Sequence, residues 1–334
     1  MEKQQMGQVK IINSYSGNTM SLAGKIKKIY QSDFRKTKKA RLLICDMISF
    51  YLGVRRHELP GTIEVETVNR CNSSCSFCPV NVLDDPRKFA KMSDQFLEKI
   101  ARELEEIQYS GSVALYANNE PLLDDRIVEV CRLFKKRVKN AVVYLSTNGI
   151  KINFKLFTGL FEAGLDELHI DNYNDDLKLI RPVSRLLDEV NRTNGPAIEE
   201  YKRKTTIALR KKTEVLDSRG GFAPNKLKEK VDTHKIYHNH SCPLPFMQFV
   251  IRSSGEISRC SHDALGKATL GNLHEQTIRE VWNGVRYREV RKKLLKPMKF
   301  GRKSLEVCNG CDSTPIHIVR TVRKRNSLYR NHIE

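Results

Sequence analysis

The chain has 334 residues, a formal net charge of +20 and 40% hydrophobic residues, long enough for one large barrel-type domain with a small appendage. It contains no apolar run of about 18 residues and no cleavable leader, which excludes a conventional membrane-spanning helix and leads us to expect a cytoplasmic protein. Nine cysteines, seven of them in two groups, fit metal binding in a reducing compartment better than a disulfide scaffold.

The charge is unevenly spread. Residues 1–60 carry +8, residues 61–200 carry −5, and everything from 201 onward is basic. Such an excess either attracts an anionic partner or is a solvated basic surface. No motif for reading RNA or DNA is present, so nucleic acid is not expected, whereas an anionic small molecule is a candidate substrate.

Residues 1–60 read as a basic, helix-biased extension. Its apolar segment ARLLICDMISFYLGV (40–54) suits a helix docked across the barrel, an oligomer contact or a peripheral membrane anchor. Docking is the preferred reading, because fifteen residues with an internal Asp46 are poor membrane material. From residue 62 the pattern alternates. TIEVETV (62–68), SVALYA (112–117), AVVYLST (141–147) and DELHID (166–171) read as strands, with FLEKIARELEEI (96–107), RIVEVCRLFKKR (126–137) and NFKLFTGLFEAG (153–164) as helices between them. LIRPVSRLLDEVNR (179–192) reads as a helix interrupted near Pro182, and TTIALRKKTEVL (205–216) as extended again. Strand–helix–strand repetition predicts parallel strands with the chemistry at their C-terminal ends.

The first strand runs into RCNSSCSFCP, where Cys71, Cys75 and Cys78 stand in CxxxCxxC spacing and Phe77 precedes the last thiol. Three thiolates can hold three irons of a [4Fe–4S] cluster and leave the fourth open to another molecule, whereas structural zinc needs four ligands. Polar groups follow later strands: Asn118, Asn119 and Glu120 before Pro121, then Ser146 and Asn148 in STNG, then Asp171 and Asn172. The last third contributes Cys242, Cys260, Cys308 and Cys311, with a hairpin-like FVIRSSGEISRC leading to the second of them. Four thiolates complete either a closed [4Fe–4S] cluster or a tetrahedral zinc site, and the residues alone leave both open. Cys45 and Cys131 lie in apolar helical patterns and read as small buried hydrophobes.

The strand followed by CxxxCxxC resembles the radical S-adenosylmethionine (SAM) superfamily. The second cysteine group, with GNL (271–273) and VWNG (281–284), resembles its SPASM and shortened "twitch" auxiliary-cluster domains. The order LDSRGGFAPN (216–225) and then Cys242 is similar to the 2-deoxy-scyllo-inosamine dehydrogenase-like group, over roughly residues 62–312. The resemblance implies an α/β fold, with a partial (β/α)6 TIM-type barrel over 61–230, a SPASM/twitch-like iron–sulfur domain over 231–312 and a basic tail over 313–334. It also implies two [4Fe–4S] clusters, SAM, and an external one-electron reductant of flavodoxin or ferredoxin type. SAM contacts would fall to Phe77, Asn119, Glu120, Ser146, Asn148 and Asp171, and substrate contact to Arg219. Asn118 and Asn119 replace the glycines of the family's GGEP-like turn, a change that asparagine's tolerance of positive φ would accommodate. The implied reaction is hydrogen abstraction by a 5′-deoxyadenosyl radical, oxidising an alcohol of a carbohydrate, cyclitol or nucleotide sugar while the second cluster takes an electron. Maturation of a peptide is the alternative, although no peptide-recognition segment precedes the barrel. The N-terminal extension and the basic middle depart from the dehydrogenase group, so a different substrate is expected.

Overall fold

The computed structural model describes residues 9–13, 58–83, 85–228, 239–297 and 299–313. The apolar segment 40–54, Cys45 and the basic tail beyond Ser313 lie outside the described residues.

Among the described residues nine strands form a single sheet: β1 (Lys10–Asn13), β2 (Thr62–Val65), β3 (Ser112–Ala114), β4 (Val142–Thr147), β5 (Glu167–Tyr173), β6 (Thr205–Arg210), β7 (Gln248–Ile251), β8 (Glu256–Ser258) and β9 (Thr269–Asn272), in the order β1-β6-β5-β4-β3-β2-β7-β8-β9. Every pairing from β1 to β7 is parallel, and β8 pairs antiparallel with β7 on one side and β9 on the other. Helices α1 (Asp94–Glu106), α2 (Ile127–Arg137), α3 (Phe154–Glu162), α4 (Arg181–Arg192) and α5 (Pro196–Arg203) provide the crossovers between β2 and β6. This is the partial barrel expected from the alternation.

Local chemistry explains the helix limits. The Ser93 side chain accepts from Phe96 N at the start of α1, and Asn153 accepts from Leu156 N at the start of α3, each satisfying an amide that the helix leaves unpaired. Phe96, Leu97, Ile100, Ala101 and Leu104 then form the buried stripe of α1. Pro182 lies in the first turn of α4, where a missing N–H costs nothing, so it starts the helix and does not interrupt it.

Strand alternation separates two environments. Ile63, Val65, Val113, Val143, Leu145, Leu168, Ile170 and Ile207 are fully buried in the main core, each contributing about 1.5–3 kcal/mol through burial. The intervening positions Glu64, Ser146, Asp171, Tyr173 and Arg210 line the barrel cavity instead. Cys131 packs in the core near the Leu160 carbonyl, and burial pushes its thiol up to about 12, as suits an inert hydrophobe.

One feature departs from the sequence reading and a second adds to it. Residues 10–13 of the expected helical extension form a strand that pairs along the open edge of β6. KIIN is too short to display period-two alternation, so only the available edge reveals it. The expected division at residue 230 does not break the sheet, because β7 pairs in register with β2, Thr62 opposite Gln248 and Val65 opposite Ile251. The four-cysteine segment therefore grows directly out of the barrel wall.

Candidate active site

A cavity of about 470 Å³ opens at the C-terminal ends of the barrel strands. It brings together Cys71, Cys75, Cys78, Phe77, Asn119, Glu120, Ser146, Asn148, Asp171 and Arg219, all the residues that the sequence assigned to the reactive cluster, SAM and substrate.

The three-cysteine loop is held by neutral donors. Ser73 N lies 3.4 Å from Cys71 Sγ, Ser73 Oγ 3.2 Å from Cys75 Sγ, and Asn148 Nδ2 3.8 Å from Cys71 Sγ. Burial pushes the Cys71 thiol up to about 12 and that of Cys75 up to about 11. Such thiols ionise only beside compensating positive charge, which irons would supply, so the donor set fits a cluster. Among the described residues no three Cys, His, Asp or Glu side chains converge closely enough for a single ion; the thiols instead surround a shared space.

Glu120 is the polar hub of the cavity. Its Oε1 accepts from Leu122 N (3.0 Å) and Thr147 Oγ1 (2.6 Å), and its Oε2 accepts from Asn148 N (2.7 Å). Burial raises its carboxyl to about 7, against those three hydrogen bonds. One acceptor position on Oε2 is left for a ligand. The turn before it does not use positive φ, which among the described non-glycine residues occurs at Gln108, Leu177 and Arg219. Asn119 Oδ1 instead accepts from Ala117 N, closing a side-chain turn, while Asn119 Nδ2 is buried without a partner. Opposite, Ser146 Oγ donates to Asp171 Oδ2 at 2.9 Å, and the Phe77 ring lies 5.7 Å from that of Tyr173.

A clasp unrecognised in the sequence braces this end. Arg87 donates to Glu66 Oε1 (2.8 Å), to both Asp85 oxygens, to Asn69 O (2.8 Å) and to Asn118 O (3.1 Å). Glu66 Oε2 in turn accepts from Ser253 N and Oγ in the turn between β7 and β8. One buried ion pair thus ties together the cluster loop, the Asn118 turn and the four-cysteine segment. Nothing in the sequence marks this pairing across 21 residues.

Arg210, Tyr173, Asp217, His262 and Gln248 also line the cavity and were missed. Tyr173 was within reach of the sequence, since it follows Asp171 by two and shares its side of β5. Arg210 pairs with Glu214 and lies 3.7 Å from Asp171 Oδ1. His262 Nε2 is 3.1 Å from Asp217 Oδ2; despite burial, His262 and Arg219 hold the Asp217 carboxyl below the usual carboxylate range. Arg219 Nε is 3.9 Å from Asp217 Oδ1 and has no hydrogen-bond partner.

The RGG element connects the two cysteine groups. Arg219, Gly220 and Gly221 take φ of 47°, 69° and 93°. A Cβ on Gly220 would stand 2.7 Å from Val307 Cγ1 and 2.9 Å from His262 O, and one on Gly221 would stand 3.2 Å from Gly310 Cα. The glycines are therefore required both by conformation and by close approach. Ser218 Oγ donates to Gly310 O at 2.7 Å, and Asp312 Oδ1 accepts from Ser218 N at 2.5 Å, so the turn is laid against the Cys308–Cys311 loop. Cys242, Cys260, Cys308 and Cys311 line one small pocket, which His262 shares with the main cavity. Burial raises Cys260 well above the ordinary thiol range, and the neighbouring Cys308, Cys242 and Cys311 reinforce this. Four mutually close thiols of this kind also fit a cluster.

Comparison with known proteins agrees with this geometry. Residues 65–213 match the Radical SAM superfamily model, and residues 242–312 match the SPASM iron–sulfur cluster-binding domain. The chain is 23% identical over 259 residues to the S-adenosyl-L-methionine-dependent 2-deoxy-scyllo-inosamine dehydrogenase of Niallia circulans, covering 78% of this chain and 95% of that protein. The crystal structure of BtrN in complex with AdoMet and 2-DOIA superposes with a TM-score of 0.63 at 22% identity, covering 77% of this chain and 94% of BtrN. Native anSMEcpe with bound AdoMet shares the fold at a TM-score of 0.50 and 15% identity, over 81% of this chain and 99% of that one. The chain thus combines a radical SAM domain over residues 65–213 with a SPASM iron–sulfur cluster-binding domain over residues 242–312, the domain pair of an oxidoreductase enzyme.

Proposed function

We propose that the protein oxidises an alcohol of a carbohydrate, cyclitol or nucleotide-sugar substrate. In this reading Cys71, Cys75 and Cys78 hold a [4Fe–4S] cluster beside SAM, and Cys242, Cys260, Cys308 and Cys311 hold a second. When bound, these groups supply a 5′-deoxyadenosyl radical from SAM and a one-electron acceptor. The observation that carries the reading is the RGG turn. It points Arg219 into the cavity of the first cysteine group while its glycines pack against the loop of the second.

The residues divide the work. Asn119, Glu120, Ser146, Asn148 and Asp171 present polar atoms to SAM, with Phe77 as an apolar wall. Arg219 and Arg210 place two guanidinium groups at the cavity, suited to orienting a hydroxyl-rich or anionic substrate. An external one-electron reductant is required, and no helix among the described residues is long and apolar enough to cross a membrane. The docked helix preferred for residues 40–54, like its alternatives of an oligomer contact or a peripheral membrane anchor, concerns residues outside those described. Peptide maturation is the second reading, which the SPASM match over residues 242–312 leaves open.

The test is Arg219→Lys, read as product per 5′-deoxyadenosine under anaerobic single turnover with alcohol substrates. Lysine lacks the planar fork, so coupling is expected to fall about 100-fold, with SAM cleavage and iron content retained. Wild-type coupling in this variant would remove Arg219 from the substrate site, and turnover of a peptide in place of alcohols would favour the second reading.

A further inference from the structure

The two cysteine groups differ in what touches their sulfurs. The donors around Cys71 and Cys75 are a backbone amide, a hydroxyl and a carboxamide, all neutral. In the second group the donor is a cation: Arg259 Nη1 lies 3.5 Å from Cys308 Sγ. Arg259 is 8% exposed, and its Nε is buried without a hydrogen-bond partner. Asp263, a carboxylate that feels its charge, is turned instead toward Lys267 N (2.8 Å) and Ala268 N (3.0 Å). A second buried guanidinium, Arg302, is committed to the carbonyls of Ser241, Cys311 and Ser313 and so holds the backbone of the pocket. Arg259 has no comparable structural duty.

Four thiolates around a [4Fe–4S] core leave a net negative charge that grows by one on reduction. A fixed, poorly solvated positive charge that also donates to a ligand sulfur favours the more negative, reduced state. We propose that Arg259 is the positioning residue that raises the reduction potential of the four-cysteine group and so fits it to accept an electron from substrate. The inference rests on the reading of those cysteines as ligands of a second iron–sulfur cluster. In the balance it serves, a hydroxyl-bearing carbon gives a hydrogen atom to the 5′-deoxyadenosyl radical. It then loses the hydroxyl proton and one electron to become a ketone, and the electron passes to the four-cysteine group.

The experiment uses the full-length protein with Cys71, Cys75 and Cys78 replaced by alanine, so that only the second group remains, reconstituted anaerobically and titrated for its midpoint potential by electron paramagnetic resonance. About four irons per chain are expected from one cubane. Adding Arg259→Gln is expected to lower the potential by about 59 mV or more, a tenfold shift in a one-electron equilibrium. Arg259→Lys, which keeps the charge but withdraws it from the sulfur, should fall between wild type and the glutamine variant. An unchanged potential in an iron-loaded Arg259→Gln protein overturns the inference. Should that variant fail to take up iron, a lysine variant at the parent potential overturns it equally. Zinc in place of iron in the parent would overturn the second-cluster reading itself.

Discussion

Arg87 is where one substitution should disturb the most structure. Replacing it with methionine strands Glu66, which is 2% exposed and would keep only Ser253 as a partner. Removing one side of a buried ion pair costs about 3–5 kcal/mol, because the remaining charge is left uncompensated. Arg70, 3.8 Å from Asp85, can take over part of the second carboxylate's charge, which places the expected loss near the lower end, about 3 kcal/mol. The effect has a definite pH dependence. Burial already raises the Glu66 carboxyl above its ordinary value of 4.5, against the pull of Arg87, and losing Arg87 raises it further. A carboxyl whose folded value exceeds its unfolded value contributes stability that is complete below the unfolded value and lost as pH rises through the folded one. The deficit of Arg87→Met should therefore be smaller near pH 5, where chiefly the bonds to Asp85, Asn69 and Asn118 are lost, and largest near pH 8. Glu66→Gln combined with Arg87→Met should recover part of it, since no charge is then buried. Anaerobic urea unfolding of the cluster-loaded proteins, followed by circular dichroism at both pH values, measures this. An equal deficit at both, with no recovery in the double variant, would refute the view that a stranded carboxylate is the cause.

Two further outcomes are expected. Gly220→Ala forces a side chain into left-handed backbone against Val307 and the His262 carbonyl, for a cost of about 2–4 kcal/mol from conformation and overpacking together; a lowered thermal midpoint with impaired metal retention at the second group checks it, and a wild-type midpoint counts against the packed RGG turn. Glu120, raised to about 7 by burial, should make the cluster-free protein lose up to about 3 kcal/mol of stability as pH rises from 4.5 through 7, and Glu120→Gln should flatten that part of the profile; parallel profiles would contradict the assignment.

The cysteine spacings, the strand–helix alternation and the polar groups at strand ends were legible in the chain because each is a local signal: ligand spacing within one loop, or a period of two or 3.6 residues. Tyr173 was legible in the same way, two residues beyond Asp171, and was overlooked. Other features depend on partners that no local pattern announces. The four residues of β1 become a strand only because β6 offers an edge. The unbroken passage of the sheet into the four-cysteine segment depends on β7 finding β2, 186 residues away at the first register pair, Thr62 and Gln248. The Glu66–Arg87 clasp, the bond from Arg259 to Cys308 and the seating of RGG against Gly310 are likewise contacts between distant segments. The sequence by itself determined which thiols are grouped and on which repeating scaffold. Only the tertiary structure decided which charges stand beside which sulfurs, because burial and electrostatics act through space and are not encoded in neighbouring positions.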